Sequence, residues 1–182
     1  MNKANAEHCQ TLVDPASPRE VSVAVRAAAQ EATGTLLVYY AGHGLIDPGT
    51  GLLHLAVPES DRDSVFDSAV PYDWIKRSIA TSRATRRIVI LDCCYSARAF
   101  GVQSESVVAL AEIDGTYLMA AAAETAVALS PPDEPHTAFT GELLELLRDG
   151  VASSNELLDL DAVFDQLLRI SGCRRVVTVH DP

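Results

Sequence analysis

The stretch that decides the fold is IVILDCCYS, residues 88–96, in which four apolar residues lead directly into an acid and two adjacent thiols. A second segment has the same design: LLVYYAGHG, residues 36–44, runs from apolar residues into a histidine between two glycines. Short apolar runs bounded in this way are typical of buried strands. In an open α/β sheet, ligands and reacting groups usually lie at the carboxyl ends of such strands. The two segments therefore predict a site where a thiol and an imidazole meet.

Length, charge and cysteine usage limit what the chain can be. Its 182 residues suffice for one domain, which at this size removes about 70% of its unfolded surface from water. A net charge of −11 and a pI near 4.7 argue against nucleic acid or an anionic membrane as the main partner, because both would repel the chain. Four cysteines without disulfide or C-x-x-C metal spacing favour reduced thiols and a cytoplasmic location. Residues 1–10 lack the apolar core of a signal peptide.

Helix and strand signals alternate along the chain and predict an α/β fold, with a mostly parallel sheet covered by helices on both faces. Residues 17–20, SPRE, have the pattern of a helix start with a capping box. A second helix is predicted over residues 71–79, with Trp74, Ile75 and Ile79 facing the core. Strands are predicted near residues 9–13, 36–41, 52–57, 88–91 and 116–122, helices also over 139–148 and 159–170, and a polar loop over 61–68.

A histidine near a cysteine indicates one well-defined chemistry. The imidazole can take the thiol proton or hold the thiolate as an ion pair, and either makes the sulfur a nucleophile. A zinc site formed by His43, Cys93 and Cys94 is a poorer interpretation, because structural zinc thiols are spaced roughly two to four residues apart. The residues therefore favour a Cys/His hydrolase.

These segments resemble the caspase and metacaspase superfamily of cysteine peptidases, and most closely the caspase-like domains of bacteria. Residues 37–44 and 92–96 carry the resemblance. Cys94 follows His43 by 51 positions, close to the separation of about 50 in caspases. Weaker similarity continues through residues 115–122 and 138–144.

The resemblance implies a three-layer α-β-α caspase-like fold. A single domain over residues 1–182 would comprise a large-subunit-like part, residues 1–103, and a small-subunit-like part, residues 104–182. The family fold also has an opening strand and helix, with that strand beside the histidine-bearing one, and the chain holds no segment for them ahead of residues 9–13. We therefore expect an N-terminally incomplete sheet with an open edge.

The resemblance also implies roles for individual residues. The reactive thiol of the family lies two positions after the acid or amide that ends the strand, which here is Cys94. His43 would be the general base or acid, and the backbone N–H groups of Gly44 and Cys94 would form the oxyanion hole. Cys93 would occupy the place of a small packing residue.

Asp92 is the candidate for substrate recognition. Metacaspases, which have an acid at this position, prefer Arg or Lys in the substrate, and Arg would suit a carboxylate through bidentate hydrogen bonds. Glu124 is a candidate second wall of the same pocket. The alternatives are that Asp92 caps a helix and that Glu124 lies on a solvated face.

The sequence thus predicts a cysteine endopeptidase that uses His43 and Cys94 and cleaves after Arg or Lys. Its partners would be protein or peptide substrates and effector or regulatory domains, with no nucleic acid, no membrane, no cofactor and no metal. Arg98 is a candidate self-cleavage site. The rival interpretation is a catalytically impaired caspase-like module that binds partners.

Overall fold

The strands that carry the two decisive segments lie side by side in one sheet. A computed structural model describes residues 8–95, 110–121, 135–150 and 160–170. The strands in these ranges are β1 (Thr35–Ile46), β2 (Leu53–Leu55), β3 (Val70–Pro71), β4 (Arg86–Tyr95) and β5 (Tyr117–Ala121). The helices are α1 (Pro18–Glu31), α2 (Val65–Ser68), α3 (Tyr72–Ala80), α4 (Ala138–Asp149) and α5 (Leu160–Ile170).

The sheet order is β3-β2-β1-β4-β5. β1, β4 and β5 run parallel, whereas β2 pairs antiparallel with β1 and β3 antiparallel with β2. This mixed sheet with helices confirms the predicted α/β fold. Of the three parallel strands, β1 and β4 contain the two segments quoted from the sequence, and β5 lies within the strand predicted near residues 116–122.

α1 begins where its sequence predicts. Ser17 is the N-cap, and its Oγ accepts a hydrogen bond from the backbone N–H of Glu20 at 3.3 Å. The Glu20 carboxylate in turn accepts from the backbone N–H of Ala16 at 2.8 Å. These bonds satisfy donors that a helix N-terminus otherwise leaves without partners, which fixes the start of the helix.

Each face of the sheet has its own apolar core, because successive side chains of a strand point to opposite faces. α1 and α3 cover one face, where the buried strand residues include Leu36, Val89, Leu91, Cys93, Leu118 and Ala120. α4 and α5 cover β4 and β5 on the other face, with the buried residues Ile90, Met119, Phe139, Leu143, Leu146, Val163 and Leu167. Within the described ranges, β1 contributes no residue to this second core. Leu37 and Tyr39 of β1 are accordingly 56% and 42% exposed.

The first part of β1 is an edge of the sheet within the described residues. β4 pairs with β1 from Thr35 to Gly44, but on the other side β2 pairs only with Gly44, Leu45 and Ile46. In the part of the chain that the structure describes, residues 35–42 therefore have a neighbouring strand on one side alone. The open edge expected beside the histidine-bearing strand would lie at this place.

The predicted orientation of Trp74 is wrong. α3 buries Tyr72, Ile75 and Ile79, which follow one another at three- and four-residue spacing on one side of the helix. Trp74 lies beside that stripe and is 43% exposed. The indole therefore faces the groove between α1 and α3 instead of the core.

Two other local predictions also fail. Residues 9–13 form no strand. Residues 61–68 are not entirely loop, since their second half forms α2, in which Ser64 Oγ donates to the Asp67 carboxylate at 2.6 Å.

None of the helices in the described ranges is both long and apolar enough to cross a lipid bilayer.

Candidate active site

β1 and β4 bring the candidate catalytic positions next to each other. In their parallel register, His43 is the partner of Cys94 and Ala41 is the partner of Asp92. Neighbouring strands lie about 4.8 Å apart, so the two backbone positions are separated by one strand spacing. For Cys94 the structure describes this place in the strand and not the side chain.

His43 lies within β1, whereas the sequence predicts that this strand ends near residue 41, just before the histidine. The strand continues to Ile46 because β2 pairs with it from Gly44 onward. The backbone N–H of Ala56 donates to the carbonyl oxygen of His43 at 2.9 Å. The side chain of His43 is exposed, so a bound peptide can reach the imidazole.

Tyr40 fixes the backbone at His43, a role that was not predicted from the sequence. Its hydroxyl lies 2.9 Å from the carbonyl oxygen of His43 and 2.9 Å from that of Ala56 and donates to them. Burial, and then the neighbouring Cys93, raise the pKa of the Tyr40 hydroxyl far above its ordinary value, so it remains a donor. A Cβ at Gly42 would lie 2.5 Å from this hydroxyl oxygen, which explains the glycine before the histidine.

The two thiols of the quoted motif have different surroundings. Cys93 is 1% exposed and packs with Leu91 in the core beneath α1 and α3. This confirms its predicted packing role. Asp92, one position earlier, points to the opposite face of the sheet and reaches the first turn of α4.

Three hydroxyl groups hold Asp92, which is 1% exposed. Its Oδ2 accepts from the hydroxyls of Tyr39, at 3.3 Å, Thr137 and Thr140. Thr137 is the N-cap of α4, and its Oγ1 accepts from the backbone N–H of Thr140 at 3.0 Å. Asp92 is therefore not itself the helix cap, but its carboxylate joins β1 and β4 to the start of α4. We call Tyr39, Thr137 and Thr140, whose hydroxyl groups bind Asp92, the hydroxyl clamp.

The other carboxylate oxygen of Asp92, Oδ1, is buried and has no hydrogen-bond partner among the described residues. Among the described residues, no cationic side chain forms an ion pair with Asp92. A buried charge without a counterion costs on the order of several kcal/mol. An unpartnered polar atom of this kind in a native protein calls for an explanation, of which a bound ligand is one.

Partial burial raises the pKa of the Tyr39 hydroxyl above its ordinary value. Its hydrogen bond with Thr140 lowers the pKa, and the negative charge of Asp92 raises it. Because the balance is upward, Tyr39 keeps its proton and remains available as a donor.

The remaining predicted site residues are only partly placed. Gly44 is buried in β1, where its partners in the register are Tyr95 on one side and Leu55 on the other. Glu124 and Arg98 lie outside the described residues. Across the ranges that the structure covers, no group of three or more His, Cys, Asp or Glu side chains could hold a metal ion.

Comparison with protein families matches the caspase domain over residues 10–170. No curated protein matches the chain. The matched region includes both decisive segments, every described helix and strand, and the positions that the sheet brings together. The chain therefore belongs to the caspase-domain family of cysteine peptidases.

Proposed function

We propose that the chain is a cysteine endopeptidase that cleaves after Arg or Lys and uses a dyad of His43 and Cys94. The observation that supports this most is the register of β1 and β4, which pairs these two residues near the carboxyl ends of parallel strands. Membership of the caspase-domain family supplies the reaction class. The reduced state that a reactive thiol needs favours the cytoplasm.

In the proposed reaction, the sulfur of Cys94 attacks the carbonyl carbon of the scissile bond. A C–S bond forms, and the carbonyl oxygen becomes an oxyanion that accepts hydrogen bonds from the backbone N–H groups of Gly44 and Cys94. Removing one such donor costs about 3 kcal/mol of transition-state stabilisation in a serine protease. His43, protonated by the thiol, donates that proton to the leaving amine as the C–N bond breaks. It then takes a proton from the water that hydrolyses the thioester and restores the thiol.

Asp92 is the proposed recognition element for the basic residue. Its carboxylate is buried, carries no counterion among the described residues, and has an oxygen without a partner. A Lys or Arg side chain of the substrate would supply the missing cation and donor. Glu124 as a second acidic wall of the pocket is carried over from the resemblance alone.

Fluorogenic peptides that end in Arg, Lys or Asp test this function. We expect the wild type to cleave the Arg and Lys peptides and to leave the Asp peptide intact. Cys94→Ala should abolish cleavage, while the matched variant Cys93→Ala should keep it and lose about 1 kcal/mol of stability, because it removes a small buried group. Wild-type rates in Cys94→Ala would contradict the proposal.

The open edge of β1 favours a second candidate, a caspase-like module that binds partners without catalysis. Residues 35–42 present an unpaired strand side within the described ranges, and an extended segment of another protein can add to such an edge. An electrophilic Arg-peptide probe separates the two candidates. The module would leave Cys94 unlabelled although circular dichroism shows a folded protein.

A further inference from the structure

We propose that the hydroxyl clamp, Tyr39, Thr137 and Thr140, positions Asp92 so that Oδ1 alone receives the cationic group of the substrate. The clamp residues would thus determine the specificity of the site without touching the reacting bond. This inference rests on the proposed function and names how its substrate is recognised.

All the hydroxyl hydrogens of the clamp are already used in hydrogen bonds. Each of the three hydroxyls has one hydrogen to donate. Thr137 and Thr140 direct theirs to Oδ2 of Asp92, and the Tyr39 hydroxyl shares its single hydrogen between Oδ2, at 3.3 Å, and the oxygen of Thr140. Oδ2 is therefore saturated, whereas Oδ1 accepts no hydrogen bond from any described residue.

The clamp also fixes which way the carboxylate points. Its members come from β1 and from the first turn of α4. Asp92 is therefore hydrogen-bonded to two separate elements in addition to its own strand. The N-terminus of a helix favours a negative charge nearby, which adds to the stabilisation of the carboxylate at this place. Oδ1 is thereby held in one orientation before any substrate binds.

A single available oxygen has a consequence for selectivity. A guanidinium gains its geometric advantage over an ammonium by forming two parallel hydrogen bonds to the two oxygens of one carboxylate. With Oδ2 occupied, that fork cannot form at Asp92. We therefore expect kcat/KM for Arg and Lys peptides to agree within about tenfold, in contrast to the bidentate pairing expected from the sequence.

Thr140→Val tests the clamp, because it removes one hydroxyl and preserves the shape of the side chain. Thr140→Ser restores the hydroxyl, and Tyr39→Phe removes a second donor. Tyr117→Phe is the matched control, since the Tyr117 hydroxyl also donates to a carboxylate, that of Asp161, at 3.2 Å. For each variant, kcat and KM are measured with Arg and Lys peptides, and the rate of Cys94 alkylation is measured with uncharged iodoacetamide.

For Thr140→Val and Tyr39→Phe we expect KM for both basic peptides to rise about five- to tenfold, as for a weakened charge-assisted hydrogen bond. The turnover number and the alkylation rate should stay within about twofold of the wild type, Thr140→Ser should recover the wild-type KM, and Tyr117→Phe should not change it. An unchanged KM, an equal fall in kcat and alkylation rate, or a preference for Arg over Lys above about 100-fold would overturn the inference. Absence of any cleavage by the wild type would instead contradict the proposed function, and the inference with it.

Discussion

Two buried aspartates show how differently a carboxylate can be held in this molecule. Asp47 directly follows β1 and is 6% exposed, while Asp92 lies near the end of β4 and is 1% exposed. The donors to Asp47 are Gly49 and Thr50, two and three positions away. The donors to Asp92 come from 45, 48 and 53 positions away.

The difference lies in what each carboxylate leaves open. Both oxygens of Asp47 accept hydrogen bonds, so its turn is complete without any other molecule. Asp92 has three donors on one oxygen and none on the other. The donors to Asp47 are all local and leave nothing to be explained, whereas Oδ1 of Asp92 still lacks a donor among the described residues, which is the basis of its proposed role in substrate recognition.

The largest expected effect that tests this difference between the two aspartates is on substrate recognition. Asp92→Asn removes the negative charge at Oδ1, so kcat/KM for an Arg peptide should fall about 100-fold, the value of one strong charge-assisted hydrogen bond. Asp47→Asn is the matched substitution and should leave kcat/KM within about twofold. Steady-state kinetics with the Arg peptide measure kcat/KM for both variants. Equal losses in the two would mean that Asp92 is no more than another structural acid.

Gly42→Ala should have the next largest effect. The added Cβ would lie 2.5 Å from the Tyr40 hydroxyl oxygen, which is held by two carbonyl groups and cannot move without losing them. Overpacking of this kind costs about 1–3 kcal/mol. Urea denaturation should show that loss, and peptide cleavage should drop with it because the backbone of His43 shifts. Gly34→Ala, where an added Cβ meets nothing within 4 Å, is the control.

Tyr40→Phe should have a smaller effect of the same kind. It keeps the ring but removes the hydroxyl that donates to the carbonyl oxygens of His43 and Ala56. We expect a loss of about 1 kcal/mol in stability, as for one net hydrogen bond, and a decrease in kcat greater than any increase in KM. Thermal denaturation and kinetics measure the two effects. A KM effect alone would show that Tyr40 does not position the histidine.

The smallest expected effect is the pH dependence of Asp47. The Thr50 hydroxyl and the backbone N–H groups of Gly49 and Thr50 lower the pKa of Asp47 below its ordinary value. A carboxylate whose pKa is lowered on folding stabilises the protein above its unfolded pKa, about 3.9, and loses that contribution as the pH falls through the folded pKa. The difference in Tm between wild type and Asp47→Asn should therefore be present at neutral pH and shrink as the pH falls below about 4. A difference that grows in acid would contradict the assigned role.

The sequence was sufficient to predict what local patterns determine. The apolar runs before His43 and Asp92 located β1 and β4, and residues 17–20 located the start of α1, because periodicity and capping act over a few residues. The hydroxyl clamp could not be predicted, since its members lie 45 to 53 positions from Asp92 and meet only after the sheet and α4 have assembled. The sequence predicts the wrong side of α3 for Trp74, because the position of a residue beside a buried stripe is decided by packing. The hydrogen bond from Tyr40 to His43 has one indication in the sequence, the glycine two positions after the tyrosine. That glycine could be interpreted only after the structure showed the hydrogen bonds of Tyr40.

The measurement that tests the central claim most directly is covalent labelling by an electrophilic ketone probe that carries an Arg side chain, followed by peptide mapping. The claim is that β1 and β4 bring His43, Cys94 and Asp92 into one site. We expect a single adduct on Cys94, formed much faster than with the norleucine version of the probe, and slowed to the norleucine rate by Asp92→Asn. A folded protein in which Cys94 stays unlabelled, or in which the Arg and norleucine probes react at the same rate, would contradict it.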